Sequence, residues 1–305
     1  MTMRAIPLLL LVLPAIVRPQ APAASQQSFP SAQDAAQALI RAAQAKDEVA
    51  ILSVLGPGAK DLFDTGDVAA DAQHLERFAH ESQVAHRLVP NPVRVDVFTL
   101  VVGEKEWPFP VPIVKSQAGG WRFDAAEGRR ETLARVIGRN EITAIEISRA
   151  YVEAQREYAS ERRIERQPRQ YAQRIVSSPG KKDGLYWPVA AGEPPSPAGE
   201  IFARMSTETA PEKGKPKIFH GYRFRVLKAQ GKHAPGGARD YVAKGFMIGG
   251  FALVAFPIDY GVTGLTTFIV NQDGVVYEKD LGPNTVDIAT KMKAYDPDAP
   301  WRRAP

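Results

Sequence analysis

Cysteine is absent from all 305 residues of the chain. That excludes disulfide frameworks, thiolate metal sites, a thiol nucleophile and lipid attachment through cysteine. Histidine is scarce, with only His74, His80, His86, His220 and His233. No His-Glu-x-x-His run occurs, and the six-residue spacing of the first three sets neighbours about 120° apart round a helix, so they do not converge as ligands. A Gly-x-Ser-x-Gly elbow and a phosphate loop are also missing. Gly56-Pro57-Gly58-Ala59-Lys60 lacks the Lys-Ser/Thr ending and reads as a helix stop. Neither a cofactor nor a metal is expected.

Long apolar runs are lacking too. The N-terminal one, Ala5 to Val17, is about 13 residues and carries Pro7 and Pro14, whereas a bilayer span takes about 20. With Arg4 before it and Ala21-Pro22-Ala23 after it, residues 1–25 read as a cleaved secretory signal, which places the protein in the periplasm or outside the cell. Loss of Arg4 and Arg18 lowers the formal net charge from +5 to +3, too little to argue for a nucleic-acid partner. The remainder is long enough for two ordinary domains, expected at 28–127 and 128–305, with no transmembrane anchor.

The first half begins with helices. Ser31 and Asp34 have capping-box spacing ahead of Ala35, Leu39, Ile40 and Ala43 on one face. Asp47 opens a second helix whose Val49, Leu52 and Leu55 lead to Gly56 and Pro57, and Val68 to Gln83 gives a third with Ala72, Leu75, Phe78 and Ala79 as its stripe. Strands follow: Val93, Val95 and Val97 alternate with Arg94, Asp96 and Phe98, and Gln117 to Gly120 turns one further strand into another. Helices followed by a curved antiparallel sheet resemble the cystatin-like or nuclear-transport-factor-like α+β cone.

The second half opens on a long helix from about Glu131 to Arg163. Leu133, Val136, Ile137, Ala144, Ile145, Tyr151, Val152 and Tyr158 form its inner face, and charges including Glu141 form a solvated one. An irregular excursion occupies 167–217, rich in Pro, Gly and charge. Strands are expected at Tyr222 to Ala229, Phe246 to Pro257, Thr266 to Asn271 and Val275 to Asp280. Asn271-Gln272-Asp273-Gly274 joins the last two, and Asp273-Gly274 between β-branched runs is a hairpin turn rather than half of a calcium loop. Gly261-Val262-Thr263-Gly264 makes the other reversal, with Gly264 expected at positive φ. On that basis Val at 264 strains the backbone by about 1–3 kcal/mol, Ala less, and Asn least.

Asn140-Glu141, Ala144-Ile145, Arg149, Ala154-Gln155 and Tyr158-Ala159-Ser160 resemble the exposed half of the long helix of bacterial type IV pilins and pseudopilins. Gly221-Tyr222-x-Phe224, Ala255-x-Pro257, Gly261-x-Thr263-Gly264, Phe268 and Gly274 resemble the sheet that follows it there. The resemblance implies a helix packed on an antiparallel sheet. Unlike a pilin's apolar anchor, however, Gly128 to Arg139 is too charged to enter a membrane. Taken whole, the mature chain resembles a family of secreted bacterial proteins of unknown function, domain-of-unknown-function family 2950. Gly119 to Asp124, Gly138 to Glu141, Asp183-Gly184-Leu185-Tyr186-Trp187-Pro188 and Gly264 to Gly282 carry the likeness.

The expected fold class is therefore α+β, with N-terminal helices and a curved antiparallel sheet followed by a long helix on a second antiparallel sheet. Asp183, Tyr186 and Trp187 are the candidate ligand or partner surface, an aromatic platform within the excursion, and Gly261, Gly264, Asp273 and Gly274 are structural turn residues. The leading reading is a non-enzymatic binding or envelope-associated protein whose partner is another envelope protein or a polysaccharide. Rival readings are a hydrolase of an envelope polymer, using carboxylates such as Asp183 and Glu193, and a structural subunit of an extracellular assembly.

Overall fold

A computed structural model describes residues 26–62, 68–165, 167–199 and 218–305. Residues 1–25, expected to be a secretory signal, and residues 200–217 of the excursion lie outside these residues. Two compact units divide the chain, Met1–Glu131 and Thr132–Pro305. The class is mixed α+β.

In the first unit α1 (Ala32–Gln44), α2 (Glu48–Leu55) and α3 (Val68–Val84) precede a sheet of β1 (His86–Pro90), β2 (Val97–Val102), β3 (Trp107–Pro108), β4 (Ile113–Lys115) and β5 (Trp121–Phe123). The strand order is β1-β2-β4-β5, with β3 on β2. Ser31 caps α1, its hydroxyl accepting from the Asp34 N–H at 3.1 Å and donating to the Asp34 carboxylate at 2.7 Å. Ala35, Leu39, Ile40 and Ala43 are buried. The Asp47 carboxylate accepts from the Ala50 N–H, and Gly56, at φ +92, ends α2.

Ile51, Val54 and Leu55 form the buried face of α2, while Val49 is 79 % exposed. Val93 and Val95 belong to no strand: the Asn91 side chain accepts from the Val93 and Arg94 N–H groups, and this side-chain turn reverses the chain before β2 begins at Val97. A second turn, closed by the Val97 N–H donating to the Arg94 carbonyl at 3.2 Å, follows directly, so the alternation from Val93 to Val97 is a pattern of turns and not of a strand.

The helix α4 (Ala125–Ser160) starts six residues before the expected Glu131, since the Asp124 carboxylate accepts from the Ala126 and Glu127 N–H groups. Gly128 lies in its first turns. A side chain there meets Val111 Cγ2 at 2.7 Å, so the glycine answers to packing and not to a helix break. The division between units falls inside α4.

In the second unit the strands are β6 (Ile218–Phe219), β7 (Tyr222–Leu227), β8 (Ala229–Gln230), β9 (Arg239–Asp240), β10 (Val242–Ala243), β11 (Phe246–Met247), β12 (Ala252–Pro257), β13 (Thr266–Asn271), β14 (Tyr277–Asp280) and β15 (Arg302–Arg303). The main sheet has the order β15-β14-β13-β12-β7-β6, and a short helix, α5 (Thr285–Lys291), follows β14. One core joins Ala144, Tyr151, Val152 and Tyr158 of α4 to Tyr222, Leu253, Phe256 and Phe268 of the strands. The expected strand Phe246 to Pro257 is two strands. Ile248 and Gly249 both donate to the Tyr241 carbonyl, and Gly250 at φ +138 lies against the Tyr241 ring.

Glu141 is not a solvated charge. Its carboxylate accepts from the Leu265 and Thr266 N–H groups at 3.0 Å, and the Asn140 amide donates to the Thr263 carbonyl at 2.9 Å. Together they clasp the Gly261–Gly264 reversal to α4. Within that reversal Gly261 has φ +81 and donates to the Gly264 carbonyl. Gly264 does not take positive φ. A Cβ at Gly264 falls 2.3 Å from the Tyr222 hydroxyl and 2.7 Å from its ring carbons, so close approach of an aromatic ring explains this glycine. The expected ordering of substitutions there fails with its premise. Asp273 and Gly274 form the turn as expected: Asn271 and Asp273 exchange hydrogen bonds, and Gly274 has φ +78.

Candidate functional site

The stretch from Asp183 to Pro188 is held by local bonds. The Asp183 carboxylate accepts from the Ser178 N–H at 2.7 Å and the Ser178 hydroxyl at 2.8 Å, closing the loop between them. Burial raises the Asp183 pKa, but the Ser178 hydrogen bonds and the Arg174 charge outweigh it and leave the carboxyl below its ordinary value. Gly184 lies 2.7 Å, measured from an ideal Cβ, from the Val176 and Ser177 backbone. Trp187 is 7 % exposed within the unit's core, with the Lys182 ammonium and the Arg163 guanidinium 5.4 and 5.9 Å from its ring centre. Tyr186 is half-buried against the same core. Glu193 accepts from the Ala190 N–H within its own turn.

The excursion's first part is pinned to α4 by Gln155. This buried side chain donates to the Ala172 carbonyl and accepts from the Ala172 N–H, both at 2.8 Å, pairing the backbone as a neighbouring strand does. The Tyr158 hydroxyl donates to the Lys182 carbonyl, and burial pushes its pKa up to about 12. Polar α4 residues at these positions therefore organise the loop that carries Tyr186 and Trp187.

A different set of side chains converges where β7 meets the end of α5. The cross-strand register carries one row from Arg225 through Val254, Ile269 and Tyr277 to Arg303, and Arg225 ends it below α5. The Arg225 guanidinium donates to the Ala289 carbonyl at 2.7 Å and to the Met292 carbonyl, capping the helix. A cation is favoured there by the unpaired carbonyls and the dipole. Burial lowers the Arg225 pKa from its ordinary value, and its Nε is buried without a hydrogen-bond partner.

An open groove of about 490 Å³ is lined by Arg225, Lys228, Lys291 and Lys293 together with Thr290 and the apolar Val226 and Met292. Lys228 donates to the neutral Gln173 side chain at 2.9 Å. Among the described residues none of these four cations forms an ion pair, and no carboxylate lines the groove. Helix capping accounts for Arg225 and one lysine. It leaves Lys228 on a strand and Lys293 beyond the helix end, so the arrangement offers unneutralised positive charge to an anion in a concave, partly apolar setting.

Sequence reasoning passed over this groove because its cations are separated by more than sixty residues and belong to no motif. The only local signal is Lys291-Met292-Lys293 after a short helix. The histidines are dispersed: His74 and His80 are exposed, His86 contacts the Ser82 carbonyl, and His233 pairs with Asp296 at 3.1 Å. Among the described residues no helix is long and apolar enough to cross a membrane, and no group of three or more His, Asp or Glu residues is placed to hold a metal ion.

The family model for proteins of unknown function, DUF2950, matches residues 26–304, and the chain belongs to that family. No curated protein and no solved structure matches it.

Proposed function

We propose that this member of the family is an exported, non-enzymatic binding protein that takes an anionic group of an envelope polymer or envelope protein in the β7–α5 groove. The observation that carries the reading is the convergence of Arg225, Lys228, Lys291 and Lys293 on one concavity whose lining holds no carboxylate. Arg225 is fixed by two carbonyls and so holds its charge beside the groove at low entropic cost, while the three lysines supply charge that adapts to the ligand. Export is supported by Arg4, the apolar run from Ala5 to Val17 and the Ala21-Pro22-Ala23 site.

Calorimetric titration of the mature protein with polyglutamate, and separately with inorganic pyrophosphate, tests the reading. Binding should weaken steeply with salt, and Lys228→Glu with Lys293→Glu should lower affinity by at least about tenfold, since both side chains are exposed and the fold is kept. Arg94→Glu, on an exposed turn of the other unit, serves as the control. Equal loss in the control, or no binding by either probe, defeats the proposal. N-terminal sequencing of the exported protein should begin near Ala24 or Ser25.

A further inference from the structure

The first sheet closes one of its edges and leaves the other open. At the β5 edge, Phe29 and Trp121 exchange both backbone hydrogen bonds at 2.8 Å, so the segment before α1 covers that side. At the β1 edge nothing equivalent occurs. Asn91 donates to Val97 and Gly103 donates to Ala85, which fixes Ala85, Arg87, Val89 and Asn91 as the residues whose backbone faces β2. His86, Leu88 and Pro90 consequently turn their backbone groups outward, and among the described residues these meet no backbone partner. An open edge with free N–H and C=O groups is a template for another strand.

The residues beside this edge are unusual for a protected one. The turn that follows β1 holds Val93 and Val95 at 87 % and 90 % exposed, and Val84 at the end of α3 is 48 % exposed. Protected edges carry charge at such positions. Arg87, the one formal charge on the strand, is already paired with Glu106 at 2.8 Å.

We propose that β1 pairs antiparallel with β1 of a second copy about a two-fold axis at Leu88. Full overlap of the strand sets His86 opposite Pro90 of the other copy and Leu88 opposite its own equivalent. The two Leu88 residues exchange N–H to C=O bonds, and each His86 N–H meets the other copy's Pro90 carbonyl. Proline's missing N–H costs one bond per copy and leaves four. The same register carries each Val93–Val95 turn to the other copy's Val84, so apolar surface exposed at both ends of the strand is covered by one symmetry operation. Two short strands bury little area, so the dimer is concentration-dependent.

The chain's lack of cysteine allows a direct test. In a ladder of this register residue 86 lies about 5.5 Å, Cα to Cα, from residue 90 of the other copy, within disulfide reach. Within one copy the two are about 13 Å apart along the strand and cannot bridge. Mature full-length protein carrying His86→Cys and Pro90→Cys should become a covalent dimer on mild oxidation, while Val49→Cys, exposed on α2, should remain mostly monomeric. Light scattering of the unmodified mature protein should show mass rising with concentration, and Val93→Asp with Val95→Asp should raise the dimer dissociation constant at least about tenfold with an unchanged melting curve. Crosslinking no greater than the Val49→Cys control overturns the proposal, as does a unmodified protein that stays monomeric at every concentration. Binding of an unrelated strand in place of self-pairing overturns it equally.

Discussion

The two sheets treat their inner strands differently. In the second unit β12 buries all six of its residues and β13 five of six, in a core that also takes in Tyr151 and Val152 of α4, Ala289 of α5 and Tyr295 and Trp301 of the C-terminal segment. In the first unit β2 buries Val97, Leu100, Val101 and Val102 but leaves Phe98 and Thr99 half-buried, and the sheet's helices gather on a smaller core. A strand covered on both faces reads as a continuous apolar run, and a strand covered on one reads as an alternation that a neighbouring turn can imitate. Thr266 to Asn271 is accordingly found to the residue from sequence, whereas the alternation from Val93 to Val97 belongs to the Asn91 turn and only its last residue enters β2.

The comparison can be broken most forcefully by emptying each core in turn. Phe256→Ala in the second unit and Phe123→Ala in the first each remove a fully buried ring and should each cost about 3–5 kcal/mol. If the cores are separate, calorimetry should resolve two transitions, with each substitution lowering one of them. One transition moved by both would show a shared core.

A smaller effect is expected at the Gly261–Gly264 reversal. Gly264→Ala should cost about 1–3 kcal/mol through overpacking against Tyr222, and Gly264→Asn at least as much, because backbone tolerance is not what the position requires. Gly261→Asn should cost only a few tenths of a kcal/mol, since Asn accepts positive φ and no atom lies near. Thermal melts of the three variants decide between the two glycine roles. Pairing Gly264→Ala with Tyr222→Phe, which removes the nearest atom, should cost less than the two changes separately.

Below that lies Asp124→Ala, which removes the cap of α4 and should cost about 1 kcal/mol, read as a shift of the first unit's denaturation midpoint. The smallest effect concerns acid. Because the Asp183 carboxyl sits below its ordinary value when folded, the stability it lends the 178–183 loop is present above the unfolded value of about 3.9 and is lost as pH falls through the lower folded value. Trp187 fluorescence should therefore change on acidification below about pH 4, before the global transition, and Asp183→Asn should remove that early change.

Much of the architecture was legible because it rests on local chemistry. The Ser31 and Asp47 caps, the Gly56 stop and the Asp273-Gly274 turn each place donor, acceptor and backbone within a few residues. What escaped depends on partners remote in sequence. Gly128 is explained only by Val111 packed against it, and Gly264 reads as a left-handed turn until Tyr222 is placed beside it. The basic groove was illegible for the same reason, since Arg225 and Lys228 acquire meaning only when the α5 carbonyls arrive beside them. Asp183 and Trp187 were found as an unusual cluster, but only the structure shows how far local bonds and the core already engage them.

The clasp at Asn140 and Glu141 also sets an order of events during synthesis. Their partners Thr263 and Leu265 follow them by 123 and 124 residues. At a translation rate of about 5–20 residues per second, α4 waits roughly 6–25 s before the sheet that covers Ala144, Tyr151 and Val152 exists. The nascent second unit therefore spends that interval with an uncovered apolar helix, open to whatever holds unfolded chains. A ribosome stalled before β13 should display α4 as a chaperone-binding segment, and only release of the complete C-terminus should hide it.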